Sequence, residues 1–450
     1  MLEIIIPLVL LFVIALWKRI PKVGGDIRVA LLVAAISSAI ISGLNPGETV
    51  LAFIDGIDRL SWVIMLSIFG SLYAESQVRL GAMETTLNSL RAAFGNSPKG
   101  LIAAIFITLI LAGSLLGDAI AAATVIGFLV IHSLTELKLK PEQIGMIILL
   151  GASLGSIMPP ITQAVFLSAS LVGTDPWPVI KLAYITVTIG AAFAIVESFR
   201  FVRGRKMPDE LMPDKSVFQI LKERWKTLIP LIVLIVIVLA NTLFNYNIFT
   251  EVSFLVAILT PLQDIPIIQG ITFQVVSAII IAFLVSFLFP SVRKETKGVM
   301  KSGLAKVSQT VQIQVSAGIM VGVFYASGLI DKVAMMTETL ASSMIKLGGA
   351  FAMVMVGMLT GSQTTAQSVI VTFLGPMLEN LDVDPTLIAL GASHIAAAGQ
   401  NMPPVGLTAF VVCGLIGGIL NKKVDPLKVM MLALPNSLYF LIIGLLVWFI

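Results

Sequence analysis

The chain has 450 residues, of which 57% are hydrophobic and only 12% charged, and its mean hydropathy is +1.01. Soluble globular chains carry about 25% charged residues, so this composition excludes an ordinary soluble enzyme or binding module and indicates a polytopic membrane protein. The net charge of +4 reflects basic loops that orient helices on a bilayer rather than a nucleic-acid surface, and the single cysteine, Cys413, excludes an intrachain disulfide and a cysteine metal site.

A crossing needs about 20 mainly apolar residues. The first span begins over 4–16 and is followed by Lys18, Arg19, Lys22 and Arg28. Basic residues gather on the inner side, so 21–26 are expected inside and the N-terminus outside. The basic cluster follows the apolar run and no small-residue cleavage site appears, which argues against a removed signal. Residues 29–44 then cross outward, 45–58 form an acidic, turn-forming outer stretch, and 61–76 return inward towards Arg79, Arg91 and Lys99. Between these, 81–94 is amphipathic and expected along the interface. Residues 100–134 are apolar except at their centre, Gly113-Ser114-Leu115-Leu116-Gly117-Asp118. The limbs 100–112 and 119–133 reach roughly 20 Å at about 1.5 Å per residue. That favours a re-entrant hairpin, entering and leaving on the inside, over two short spans. Residues 141–173 cross outward as a broken helix to Asp175-Pro176, and 177–199 return. The basic stretch 200–226 reads as a cytoplasmic linker between a first half, 1–199, and a second, 227–450.

The second half repeats the order. Residues 227–243 cross outward, 271–289 return to Arg293, Lys294, Lys297, Lys301 and Lys306, and 307–329 cross outward again. Residues 332–346 are the amphipathic counterpart of 81–94. A second hairpin is expected over 348–377, centred on Gly361-Ser362-Gln363-Thr364-Thr365, and an acidic outer stretch over 378–384. The second broken helix covers 385–420 and ends inside at Lys422 and Lys423; 427–450 end outside.

The broken helices carry LLGASLGSIMPPIT (149–162) and SHIAAAGQNMPPVGL (393–407). Pro141 precedes Pro159 by 18 residues, as Pro385 precedes Pro403, and Gly155 and Gly399 each sit four before a Pro-Pro pair. Adjacent prolines remove two backbone donors and clash with the preceding turn, so neither helix continues unbroken. In hydrocarbon the freed carbonyls are tolerated only where they are buried in protein or line a cavity. Two such interruptions at matching positions point to a transporter's binding site. The charges place Asp175-Pro176 outside and Asp425-Pro426 inside. The expected fold is therefore an all-α polytopic membrane protein of two inverted-topology repeats, each with scaffold helices, a re-entrant hairpin and a broken transmembrane helix.

Hairpin tips and breaks define the candidate ion- and substrate-binding residues. In the first half these are Gly113, Ser114, Asp118, Gly155, Ser156, Pro159, Thr162 and Gln163. In the second they are Ser362, Gln363, Thr364, Thr365, Gly399, Gln400, Asn401, Pro403 and Thr408. Unwound carbonyls and hydroxyls suit sodium in the regions of Ser114, Gly155, Ser362 and Gly399, and opposing half-helix N-termini suit a carboxylate. Each polar residue taken singly could instead bond its own helix. Asp118 has two readings, a cation or proton group and the N-cap of the second limb. Glu75 is read as snorkelling or pairing with Arg79. His132 and His394 have no metal-ligand partners at useful spacing. No Gly-Lys dipeptide, hence no Walker A loop, and no His-Glu-x-x-His site occurs; neither an enzyme nor an organic cofactor is expected.

Through GSLLGDAIAAATVIG (113–127), LGSIMPP (154–160) and GASHIAAAGQNMPPVGLTAF (391–410), the chain resembles the ion-transporter superfamily, and within it the large membrane subunit of TRAP transporters, the DctM-like permeases. The resemblance covers most of the chain from about residue 61. It implies a scaffold and a transport core of two hairpins and two broken helices that moves as an elevator. It further implies sodium-coupled uptake of a small carboxylate, a dicarboxylate or sugar acid, in the inner membrane of a prokaryote. The implied partners are a small membrane subunit and an extracytoplasmic binding protein. The alternative is a proton-coupled carrier or cation/proton antiporter working without a binding protein.

Overall fold

The computed structural model describes residues 2–17, 19–21, 23–244, 246–335 and 340–450; Lys18 and Lys22 of the first inner loop, and positions 336–339 of the amphipathic stretch 332–346, lie outside them. Among the described residues the chain is helical, with no strand. The first half contains α1 (Leu2–Leu16), α2 (Ile27–Ser42), α3 (Pro46–Arg59), α4 (Ser61–Leu80), α5 (Ala82–Phe94), α6 (Pro98–Leu116), α7 (Ala119–Glu136), α8 (Pro141–Ile157), α9 (Gln163–Val172) and α10 (Pro176–Ser198). Helix α11 (Val217–Arg224) lies in the basic stretch, followed by α12 (Ile229–Phe244) and the short α13 (Ile248–Glu251) and α14 (Ser253–Leu259). Then come α15 (Gln274–Ser286), α16 (Pro290–Arg293), α17 (Thr296–Ala326) and α18 (Leu329–Met335). The last five are α19 (Ser342–Thr360), α20 (Gln363–Glu379), α21 (Pro385–Asn401), α22 (Leu407–Leu420) and α23 (Pro426–Phe449).

Local chemistry sets these boundaries. Proline occupies the first turn of α3, α6, α8, α10, α21 and α23, where its missing N–H is no loss. Asp175, Asp384 and Asp425 cap the following backbone N–H groups. Left-handed glycines end α6 at Gly117 and α19 at Gly361. Among the described residues, six helices are long and apolar enough to cross a membrane: α6, α7, α10, α17, α19 and α23. On α10 the apolar residues Ile185, Ile189, Phe193 and Val196 are all exposed, a stripe suited to lipid rather than water.

Two expectations need correction. The acidic stretch 45–58 is not a string of turns but the helix α3, nucleated by a reciprocal capping box between Asn45 and Glu48. The limbs of the first hairpin are 19 and 18 residues long rather than 13 and 15. Helix α6 begins earlier, at the Ser97 cap, and runs on through Gly113 and Ser114. Limb length therefore gives no argument for re-entry, and that reading rests on where the tips end.

The helices pack in two groups. In the first, α17 lies against α2, α3 and α4, while α15 joins α4 to α12. Helices α3 and α17 touch through backbone: a Cβ at Gly318 would lie 2.9 Å from the Gly56 carbonyl oxygen, and one at Gly322 would fall inside the Ala52 carbonyl. Gly322→Val is expected to wedge the pair apart and cost about 1–3 kcal/mol. It should lower the thermal midpoint in detergent, whereas Gly348→Ala, with nothing within 4 Å, should not. An unchanged midpoint for Gly322→Val would contradict this packing.

The second group comprises α6–α10 and α19–α23, and its contacts are reciprocal. Helices α6, α7 and α8 pack on one another as α19, α20 and α21 do. Helix α9 packs on α20 and α21, while α22 packs on α7 and α8. The same holds of α10 on α21 and α23 on α8. The part of each broken helix beyond its prolines thus packs on the other half's hairpin and broken helix. The interval between equivalent landmarks is constant from Pro98 and Ser342, through Gly117 and Gly361, to Pro141 and Pro385.

Candidate functional site

Each broken helix stops at its prolines. Helix α8 ends at Ile157 and α9 restarts at Gln163; α21 ends at Asn401 and α22 restarts at Leu407. Pro159-Pro160 and Pro403-Pro404 are both joined by cis peptides. Each hairpin tip reaches the turn just before a break. A Cβ on Gly113 would lie 2.7 Å from the Gly155 Cα, and one on Gly357 would lie 3.0 Å from the Gly399 Cα. Only glycine allows these backbones to meet, which is the physical reason for Gly155 and Gly399 at the corresponding positions.

A cavity of about 540 Å³ lies in front of the two tips. The second group contributes Gly117, Asp118, Gln163, Ser362, Gln400 and Thr408, with Gln363, Thr364 and Thr365 from the start of α20. The first group contributes Ser67, Ser71 and Glu75 from one face of α4 and Lys306, Gln309 and Thr310 from α17. The C-terminal half of α4 lines the cavity. Its N-terminal end carries Trp62, packed 5.3 Å from Phe166 and 4.4 Å from Phe273 between ring centroids.

Gln363 ties the two halves together. Its Nε2 donates to Ser156 Oγ at 3.0 Å, and its Oε1 accepts from Gln400 Nε2 at 3.2 Å. Behind it, Ser153 donates to Asn401 Oδ1 at 2.9 Å, so Asn401 is a strut and lies away from the cavity wall. Gln163 Nε2 donates to Ser67 Oγ at 3.2 Å, as does Gln314 Nε2 at 2.9 Å, which links the first break to α4 and α17. Thr162 caps α9 through the Val165 N–H and donates to the Ser156 carbonyl at 3.1 Å.

The equivalent tip positions differ in charge. Asp118 caps α7, its Oδ1 accepting from the Ala121 N–H at 2.7 Å, whereas Ser362 caps α20 with Thr365 N–H at 3.2 Å. One helix N-terminus thus carries its own anion and the other does not. Ser114 Oγ, one turn before the first tip, is buried and has no hydrogen-bond partner, a free oxygen of the kind a sodium ion uses. Gly113, Ser114, Gly155, Ser156 and Gly399 lie behind the cavity wall at the two tip–break contacts, and Pro159, Thr162 and Pro403 lie in the breaks themselves.

Sequence reasoning missed the cavity's first-group wall. In the sequence Lys306 belongs to an inner basic cluster; in the fold its Nζ lies 2.6 Å from Glu75 Oε2 at the cavity wall. Glu75 also meets Arg79 Nε at 3.3 Å, and at 4% exposure it is paired rather than snorkelling. The available signal was helical spacing, which puts Lys306, Thr310 and Ile313 on one face of α17. His394 is buried against Thr186, its Nε2 2.7 Å from Oγ1, and Phe440, away from the cavity; His132 is exposed.

A family model described as the DctM component of the tripartite ATP-independent periplasmic transporter matches residues 8–450. A search of curated proteins returns no match. Among solved structures, the chain is similar to the Alcanivorax borkumensis YdaH transporter, described as having an unusual topology, with a TM-score of 0.58 at 16% identity, over 89% of this chain and 86% of that one. At that identity the likeness speaks for the fold alone.

Proposed function

This chain belongs to the family of the DctM component of tripartite ATP-independent periplasmic transporters, and from that premise we propose that it is the membrane carrier of such a system, coupling sodium to uptake of a small organic acid. The observation that carries the reading is the meeting of two hairpin tips with two helix breaks around one polar cavity. Reciprocal packing of the equivalent helices supports two inverted repeats, and the slight contact of α4 and α17 with α6, α9 and α20, beside the packing within each group, supports an elevator in which α6–α10 and α19–α23 move against α2–α4, α12, α15 and α17.

The tips divide the labour by charge. Asp118 and the unpartnered Ser114 hydroxyl favour a cation at the first tip. At the second, the uncharged Ser362 leaves the N-terminal amides of α20 to attract a carboxylate, a dicarboxylate or sugar acid. The cavity runs towards Gly25, Val78 and Lys306, the side that the basic loops assign to the cytoplasm, and the aromatic cluster of Trp62 lies at the other end. We read this as the inward-open arrangement, with both termini outside in an inner membrane. A small membrane subunit and an extracytoplasmic binding protein complete the system.

Reconstitution with those two partners in proteoliposomes tests the reading. Uptake of a C4-dicarboxylate or sugar acid is expected to rise with an inward sodium gradient and to vanish without one. Uptake that follows a pH gradient and ignores sodium would replace the coupling ion with the proton.

A further inference from the structure

We propose that Lys306 is a receptor for the substrate's carboxylate on the stationary side of the cavity, held by Glu75 when the cavity is empty and released to the substrate when it is loaded. The inference rests on reading the cavity as an organic-acid site. Among the described residues three charged side chains line it, Glu75, Asp118 and Lys306, and Lys306 is the only cation among these three. Among the described residues of the lining, an entering anion therefore finds one full positive charge.

The geometry suits transfer. Glu75 is 4% exposed while the Lys306 side chain is 46% exposed, so the carboxylate is fixed in the wall and the ammonium reaches out from it. An ammonium has three donors, and Glu75 Oε2 takes one. Lysine's flexible stem lets the charge swing between partners. Glu75 does not lose its countercharge when that happens, because Arg79 already approaches its other oxygen and is itself anchored by Glu295 at 2.5 Å. A lysine needed only to neutralise Glu75 would be redundant beside Arg79. Lys306 and Glu75 both sit on α17 and α4, whereas the hairpin tips belong to the other helix group. The substrate is thus bound between a fixed cation and the tip of α20.

Binding to the purified chain in detergent, at fixed sodium, separates the possibilities. The probes are a panel of C4-dicarboxylates and sugar acids, read by ligand-dependent thermal stabilisation. Glu75→Gln frees Lys306 and should lower the half-saturating acid concentration severalfold. The double change Glu75→Gln with Lys306→Met removes both charges without stranding a buried carboxylate, and should raise that concentration roughly tenfold above the single variant, the scale of one charge-assisted hydrogen bond. Adding Glu75→Gln to Lys306→Arg should keep the affinity near that of Glu75→Gln. The unliganded midpoint of each variant reports folding separately. Equal half-saturation in the single and double variants would overturn the role of Lys306 while leaving the carrier reading intact. Wild-type protein stabilised by none of the acids would overturn the organic-acid reading and this inference with it.

Discussion

Gly155→Ala should reduce transport about a hundredfold, more than the same change at Gly399. The added methyl at 155 would lie 2.6 Å from both the Gly113 Cα and the Ile110 carbonyl oxygen, and 3.0 Å from the Leu109 carbonyl oxygen. All are backbone atoms, so no rotamer can relieve the clash, and the hairpin tip must withdraw from the break. Overpacking of this kind costs about 1–3 kcal/mol, but the larger consequence is positional, since a displacement of about 1 Å at a reacting or binding site can cost about a hundredfold. At Gly399 the corresponding methyl meets Val354 O at 2.9 Å, Val354 Cα at 3.1 Å and Gly357 Cα at 3.3 Å, again backbone that must shift, but by less than at Gly155. Gly399→Ala is therefore expected to lose about tenfold or less on the same positional argument. Gly414→Ala, with nothing within 4 Å, should transport normally. Initial uptake rates in proteoliposomes, normalised to folded protein, decide this. Wild-type rates from Gly155→Ala would mean that the tip–break contact is not where ions or substrate bind.

What the sequence disclosed follows from the range over which each interaction acts. The Pro-Pro breaks, the tips at Gly117 and Gly361 and the caps at Asp118 and Ser362 are decided within a few residues, by missing donors, left-handed backbone and capping hydroxyls or carboxylates. They were legible. Helix α3 was decided just as locally, by Pro46 and the Asn45–Glu48 box, but its acidic composition concealed the signal. The first-group wall was not legible, because Glu75 and Lys306 are brought together only by the packing of α4 against α17. The same is true of Ser67, whose two amide donors come from α9 and α17. The Gln363 bridge to Ser156 and Gln400 likewise needs both halves folded against each other. The sequence identified Gln363 as polar and correctly located, but not as the link between the breaks.

Asp118→Ser should leave the fold intact and remove most of the sodium dependence. The substitution gives the first tip the residue that the second tip already has at the equivalent position, Ser362, which caps α20 through the Thr365 N–H. Serine, asparagine and aspartate are nearly equal as N-caps, so Asp118→Ser and Asp118→Asn should both unfold near the wild-type midpoint. What they lose is charge. A carboxylate and a cation about 4 Å apart attract by about 4 kcal/mol where the effective dielectric is about 20. Even a third of that, after desolvation, raises the half-activating sodium concentration about tenfold. Transport at ordinary sodium should fall accordingly and be partly restored by raising sodium. Asp118→Ala sacrifices the cap as well, and should add a stability loss of about 1 kcal/mol that the other two variants lack. The pattern separates the two roles of one side chain. If Asp118→Ser keeps wild-type sodium activation, the carboxylate serves only to start α7. If the wild type instead responds to a pH gradient and Asp118→Asn alone abolishes that response, the group carries a proton and the carrier runs without sodium.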